Sequence, residues 1–144
     1  MFNSILVVCT GNICRSPLAE RILRKYLPGK KIDSAGTNAL VGHSADSSAE
    51  HIAQLNHLSL EGHKGQQFTS SLGRQYDLIL VMERNHIEHI SQLAPEVRGK
   101  IMLFGHWLGE KEIPDPYKKS EEAFVSVFNI IQQSAEGWVS KLSI

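Results

Sequence analysis

Two kinds of apolar pattern alternate along the chain. Short unbroken runs occupy residues 4–8, 78–82 and 101–104, and a weaker one lies at 31–34. An unbroken run marks a strand buried on both faces, because a half-exposed strand alternates apolar and polar side chains. Between the runs, apolar residues recur three and four apart. Ala19, Ile22, Leu23, Tyr26 and Leu27 follow the first run. Phe124, Val127, Phe128, Ile131, Ala135, Trp138 and Leu142 stand near the C-terminus. That spacing predicts helices with one buried face.

Local signals set the ends of these elements. Cys9-Thr10-Gly11-Asn12 stops the first run with turn-forming residues. Ser16-Pro17 then opens a helix, serine at the N-cap and proline at the first helical position, and Pro28-Gly29 closes it. Further helices are predicted over residues 47–58, 69–74, 85–93 and 121–142. Two loops separate them: residues 35–46, rich in Gly, Ser and Asn, and residues 105–119, which contain Pro114 and Pro116.

Strands alternating with helices predict an α/β fold, a single domain over residues 1–144 with a parallel sheet covered by right-handed crossovers on both faces. A chain of 144 residues is enough for one substantial core. Ligands of such sheets bind beyond the carboxyl ends of the strands, near helix N-termini. The junction after the first strand is therefore the first candidate site.

Composition narrows the chemistry. Formal net charge is zero, so no long-range attraction to nucleic acid or anionic lipid is expected, and any anion site must be local. The apolar run at 5–8 is too short for a signal core and no basic segment precedes it. No stretch is long enough to span a bilayer, so no membrane insertion is expected. The expected compartment is the cytoplasm. The two cysteines, Cys9 and Cys14, lie close together in sequence. Closing so small a loop stabilises little, so the pair is reactive rather than structural.

The junction reads Cys9-Thr10-Gly11-Asn12-Ile13-Cys14-Arg15-Ser16. Successive backbone N–H groups in a tight loop make an anion-binding concavity, and a helix N-terminus adds donors and partial positive charge. Gly11 is expected to supply backbone angles closed to other residues, and Asn12 tolerates the left-handed region. Arg15 offers a planar fork matching two phosphoryl oxygens. The same field favours the thiolate of Cys9, the form that attacks phosphorus. Ser16 can donate to that sulfur and stabilise it as a leaving group. A Walker-type loop is excluded, since no Gly-Lys-Ser/Thr stands at the required spacing.

The segment Val8-Cys9-Thr10-Gly11-Asn12-Ile13-Cys14-Arg15-Ser16-Pro17 resembles the signature of the low-molecular-weight protein tyrosine phosphatases. Asp33-Ser34-Ala35-Gly36, Gly62-His63-Lys64, residues 77–82 and Asp115-Pro116-Tyr117 match in the same order. Arg98-Gly99-Lys100 and Leu103-Phe104-Gly105-His106-Trp107 resemble the bacterial branch that partners tyrosine autokinases of capsule and exopolysaccharide export. The resemblance implies a four-stranded parallel sheet flanked by helices. It also implies hydrolysis of phosphotyrosine through a cysteinyl-phosphate, with no metal and no cofactor.

By that resemblance Cys9 is the nucleophile, Arg15 the phosphate clamp and Asp115 the acid that protonates the tyrosyl oxygen. Pro114 and Pro116 restrict the backbone on either side of Asp115. Thr10, Gly11, Asn12, Ile13, Cys14 and Ser16 form the cradle. Tyr117 and Leu40 are candidates for the two walls of the cleft, Leu40 standing in a loop where many relatives carry an aromatic residue. Asn12, Ser16, Ser34 and His63 form a supporting hydrogen-bond network. Cys14 packs beneath the loop or forms a reversible disulfide with the nucleophile.

His86 and His89 lie three apart on a predicted helix. With no third ligand evident, they read as a solvated face rather than a metal site. An arsenate reductase on the same fold would need further cysteines, and none follows Cys14. A module that only binds phosphotyrosine would need neither a nucleophile nor an acid. The expected partner is a phosphotyrosine protein, a tyrosine autokinase above all.

Overall fold

The computed structural model describes residues 2–143. Its elements run β1 (Ser4–Cys9), α1 (Arg15–Tyr26), β2 (Lys31–Gly36), α2 (Ser47–Leu55), α3 (Ser70–Gly73), β3 (Leu78–Val81), α4 (Arg84–Leu93), a 3-10 helix (Pro95–Lys100), β4 (Ile101–Leu103) and α5 (Glu121–Leu142). The strands form one four-stranded sheet in the order β2-β1-β3-β4. Each neighbouring pair is parallel, with Val8 opposite Ala35 and Val81.

The unbroken apolar runs are explained by two cores, one on each face of the sheet. In β1, Ile5, Val7 and Cys9 face a layer built from α1, α2 and α5, with Leu23, Ala49, Phe128 and Ile131. Leu6 and Val8 face the opposite layer, with Phe68, Ile79, Val81, Ile90 and Val97. Side chains of a strand alternate between faces, so a strand covered on both must be apolar throughout. The predicted face of α5 is buried from Phe124 to Trp138, and Leu142 packs at its edge. The Trp138 indole N–H donates to the Phe104 carbonyl at 2.8 Å and anchors the 105–119 loop where it leaves β4.

Several boundaries differ from the sequence reading. β2 runs on to Gly36. α2 stops at Leu55 rather than 58, because His57 takes a left-handed turn at φ 58°. Residues Pro95–Lys100, between the predicted helix and strand, wind into the 3-10 helix before β4. The helix start at Ser16-Pro17 is corrected: α1 begins at Arg15 with Cys14 as N-cap, and no side chain caps it. The Ser16 hydroxyl is engaged elsewhere.

The end of β2 is pressed against the loop that follows β1. A Cβ on Gly36 would lie 2.4 Å from the Thr10 carbonyl oxygen, a backbone atom that cannot swing aside. Gly36→Ala is expected to lose roughly 1–3 kcal/mol in urea unfolding, the scale of overpacking. Gly29→Ala, where a Cβ meets nothing within 4 Å, should stay within about 0.5 kcal/mol.

Candidate active site

Where β1 ends, residues 10–14 turn the chain into α1 and form a cup. Among the described residues, the N–H groups of Gly11, Ile13 and Cys14 have no protein acceptor. The first-turn amides of Arg15 and Ser16 are free by helix geometry. Unpaired amides ringing a helix N-terminus are an anion site. The Cys9 sulfur lies in this pocket and accepts the Asn12 N–H at 3.3 Å.

The cup is strained at Asn12, not at Gly11. Asn12 has φ 60°, while Gly11 has no positive φ and needs no special backbone freedom. Hydrogen bonds from distant segments hold that angle. Asn12 Oδ1 accepts the Gln66 N–H at 2.9 Å, which orients the amide. Its Nδ2 then donates to Ser16 Oγ at 2.7 Å and to Ser34 Oγ at 3.0 Å. His63 Nε2 donates to the Asn12 carbonyl at 2.6 Å. A left-handed non-glycine residue is stable only when its surroundings over-determine it, as these do.

The same bonds aim a proton at the sulfur. Ser16 Oγ accepts from Asn12, and the acceptor within reach of its own hydrogen is Cys9 Sγ at 3.0 Å. Ser34 likewise passes its hydrogen to Glu20 Oε1 at 2.7 Å, and Glu20 is 4 % exposed. Arg21 and Arg24 balance that buried carboxylate from the surface.

Arg15 enters from the other side and is 1 % exposed. Its Nη1 donates to Glu83 Oε2 and to the Ile113 carbonyl, the latter at 2.8 Å. That leaves the Nε–Nη2 edge for the pocket. Nη2 lies 3.4 Å from Thr10 Oγ1 and 3.8 Å from Asp115 Oδ2. The Ile113 N–H donates to the Met82 carbonyl at 2.9 Å, so one residue ties the 105–119 loop to β3 and to Arg15. Asp115, two residues on, is carried to the pocket mouth, and its Oδ1 accepts the Tyr117 N–H at 3.1 Å.

Cys9, Thr10, Gly11, Ile13, Cys14, Arg15, Asp115, Leu40 and Tyr117 line one pocket. Asn12, Ser16, Ser34 and His63 are buried behind its wall rather than in it. Leu40 and Tyr117 are about two-fifths exposed and stand as apolar flanks. The Leu40 loop is pinned: Leu40 N–H donates to the Gly11 carbonyl at 3.0 Å, and Gly42 N–H to the Gly65 carbonyl at 2.9 Å. Both cysteines are free thiols, and burial pushes the Cys14 thiol far up, keeping it protonated.

Glu83 and His86 were not among the sequence candidates, and the reading of His86 as solvated is overturned. His86 is 2 % exposed, under the loop beside Thr10, whereas His89 is exposed. A charged residue directly after a buried strand, at the sheet's carboxyl edge, was the available signal for Glu83. His86 follows one turn later on α4.

Burial, reinforced by the Arg15 charge, lowers the His86 pKa from 6.5 to about 4 against the opposing pull of Glu83 and Asp115. The unfolded chain therefore binds a proton between those values that the folded protein does not. Stability is expected to fall as pH drops through that window and to level off, for this group, below about 4. Urea unfolding from pH 7 to pH 4 should show a shallower loss for His86→Gln than for wild type.

The family model described as low molecular weight phosphotyrosine protein phosphatase matches residues 4–143. The low molecular weight protein-tyrosine-phosphatase Etp of Escherichia coli is 56% identical over 142 residues, covering 99% of this chain and 96% of Etp. The crystal structure of an Escherichia coli tyrosine phosphatase Wzb in complex with sulphate matches at TM-score 0.97 and 63% identity, over 99% of both chains. Vibrio vulnificus Wzb in complex with benzylphosphonate matches at TM-score 0.97 and 54% identity, over 99% of this chain and 100% of that one. Sequence match and shared fold extend over the whole described chain, cup, pocket and acid loop included: the protein belongs to the low molecular weight phosphotyrosine protein phosphatase family of hydrolases.

Proposed function

We propose that this protein hydrolyses phosphotyrosine through a cysteinyl-phosphate on Cys9. The observation that carries this reading is one pocket holding the Cys9 sulfur, the free loop amides, the open edge of Arg15 and the Asp115 carboxyl. The phosphoryl group seats in the loop, with its oxygens on the amides and on Arg15. The Cys9 thiolate attacks phosphorus and the bond to the tyrosyl oxygen breaks. Asp115 gives that oxygen its proton. Water then attacks phosphorus and yields a proton to the Asp115 carboxylate. The S–P bond breaks, phosphate leaves, and the returning thiolate is stabilised by Ser16 and the Asn12 N–H. No metal is needed, since amides and guanidinium meet the developing charge.

Leu40 and Tyr117 flank the entrance and fit the ring of a phosphotyrosine side chain. A relative that holds benzylphosphonate, an aromatic ring on a phosphorus oxyanion, supports that fit. The proposed substrate is a tyrosine autokinase, so that the enzyme regulates exopolysaccharide or capsule production from the cytoplasm, where a free nucleophilic thiol stays reduced. The likeness to Etp and Wzb supports this. Among the described residues no helix is long and apolar enough to cross a membrane.

Cys9→Ser is expected to abolish hydrolysis of p-nitrophenyl phosphate while still binding phosphate. A Cys9→Ser protein with wild-type turnover would refute the nucleophile. Asp115→Ala should lower kcat on a phosphotyrosine peptide by about 10²–10⁴-fold with little change in KM, the scale of lost general acid catalysis. Incubation with a phosphorylated tyrosine autokinase from the same cell should release phosphate from its tyrosines; a kinase left fully phosphorylated counts against that substrate.

A further inference from the structure

The hydroxyl of Thr10 stands between two groups that can only donate to it. The Glu83 N–H donates to His86 Nδ1 at 3.2 Å. A backbone N–H has no acceptor capacity, so Nδ1 carries no hydrogen and the neutral ring is protonated at Nε2. Nε2–H therefore donates to Thr10 Oγ1 at 2.9 Å. Arg15 Nη2 donates to the same oxygen at 3.4 Å. With both lone pairs engaged, the Thr10 hydrogen must point in a third direction. Among the described residues no protein group accepts it. Thr10 lies on the pocket wall beside Cys9, Arg15 and Asp115.

We infer that His86 is a positioning residue of this site: together with Arg15 it makes Thr10 present its hydroxyl as a hydrogen-bond donor to a phosphoryl oxygen. The inference rests on the phosphatase reading and adds a donor to it. Glu83 serves both halves, since its carboxylate holds Arg15 Nη1 and its N–H selects the His86 tautomer. The end of β3 thereby sets the cation and the hydroxyl in register. A ring charged at both nitrogens could not accept from Glu83. Burial and the Arg15 charge keep this ring neutral above pH of about 4, against Glu83 and Asp115, and His89 on the same helix adds to Arg15. An apolar residue would fill the space under the loop equally well, but it would leave the Thr10 proton free to turn toward the protein.

The test is a double-mutant cycle read by inhibition with inorganic phosphate and by kcat and KM on p-nitrophenyl phosphate. Thr10→Val is expected to weaken phosphate inhibition and to lower kcat/KM by about tenfold or more, the scale of a hydrogen bond to a charged group. Thr10→Ser should stay near wild type. His86→Leu should cost about fivefold in a wild-type background and less than about twofold in the Thr10→Val background, because its effect passes through that hydroxyl. His86→Gln, with an amide N–H near the Nε2 position, should recover most of the loss. Should His86→Leu not fold, the nitrogen-15 spectrum of wild-type imidazole at pH 7 still decides: bare Nδ1 with protonated Nε2 is expected, and the opposite tautomer overturns the inference. So do losses that simply multiply, or a Thr10→Val enzyme inhibited by phosphate as wild type is. Those results leave the phosphatase reading standing, whereas a wild-type protein that neither hydrolyses nor binds phosphate sinks both.

Discussion

A guanidinium at 1 % exposure is the constraint on which the site depends. Taking such a charge out of water costs several kcal/mol, and only close carboxylates and carbonyls offset it. Arg15 finds its acceptors on three separate parts of the chain: the Glu83 carboxylate at the N-cap of α4, the Ile113 carbonyl in the 105–119 loop, and the Thr10 hydroxyl after β1. Packing one cation thus brings the sheet's carboxyl edge and the acid-bearing loop to a single point. The edge of Arg15 left over faces the pocket, where its N–H donors are open to an anion.

The cup beside it stores strain rather than charge. A left-handed Asn12 is held by Gln66, Ser34, Ser16 and His63, drawn from β2, α1 and the segment after α2. Because the Asn12 amide is oriented by Gln66, the direction of each following hydrogen bond is set, and the last of them ends on the Cys9 sulfur. Loop shape and the orientation of the Cys9 sulfur are one network, which is why Ser16 is buried behind the pocket and does not cap α1.

Local rules misassigned residues where this network outcompetes them. A Ser-Pro pair reads as an N-cap and first turn, but the Ser16 hydroxyl has a stronger use between Asn12 and Cys9. Gly11 and Asn12 both read as residues able to take unusual backbone angles, yet only Asn12, which has side-chain partners to hold it, is left-handed. A histidine on a polar-looking helix reads as solvated, yet His86 is drawn under the loop by Thr10 and Glu83. The contacts that hold Asn12 and draw in His86 come from Gln66, Ser34, His63 and Thr10, 22 to 76 residues away, and Ser16 meets Cys9 and Asn12 only once those contacts have folded the loop back onto the helix start.

By itself the sequence determined the α/β alternation, the buried strands, the span of the terminal helix and the placement of Cys9 and Arg15 around a helix start. Those features follow from periodicity and from neighbours a few residues apart. Only the tertiary structure decided what holds Arg15, which hydroxyls aim at sulfur and pocket, and why His86 is buried. The partners of Arg15 lie 68 and 98 residues away, and that of Thr10 lies 76 away. Separations of that length are closed only by the packing of the sheet, and local propensity carries no record of them.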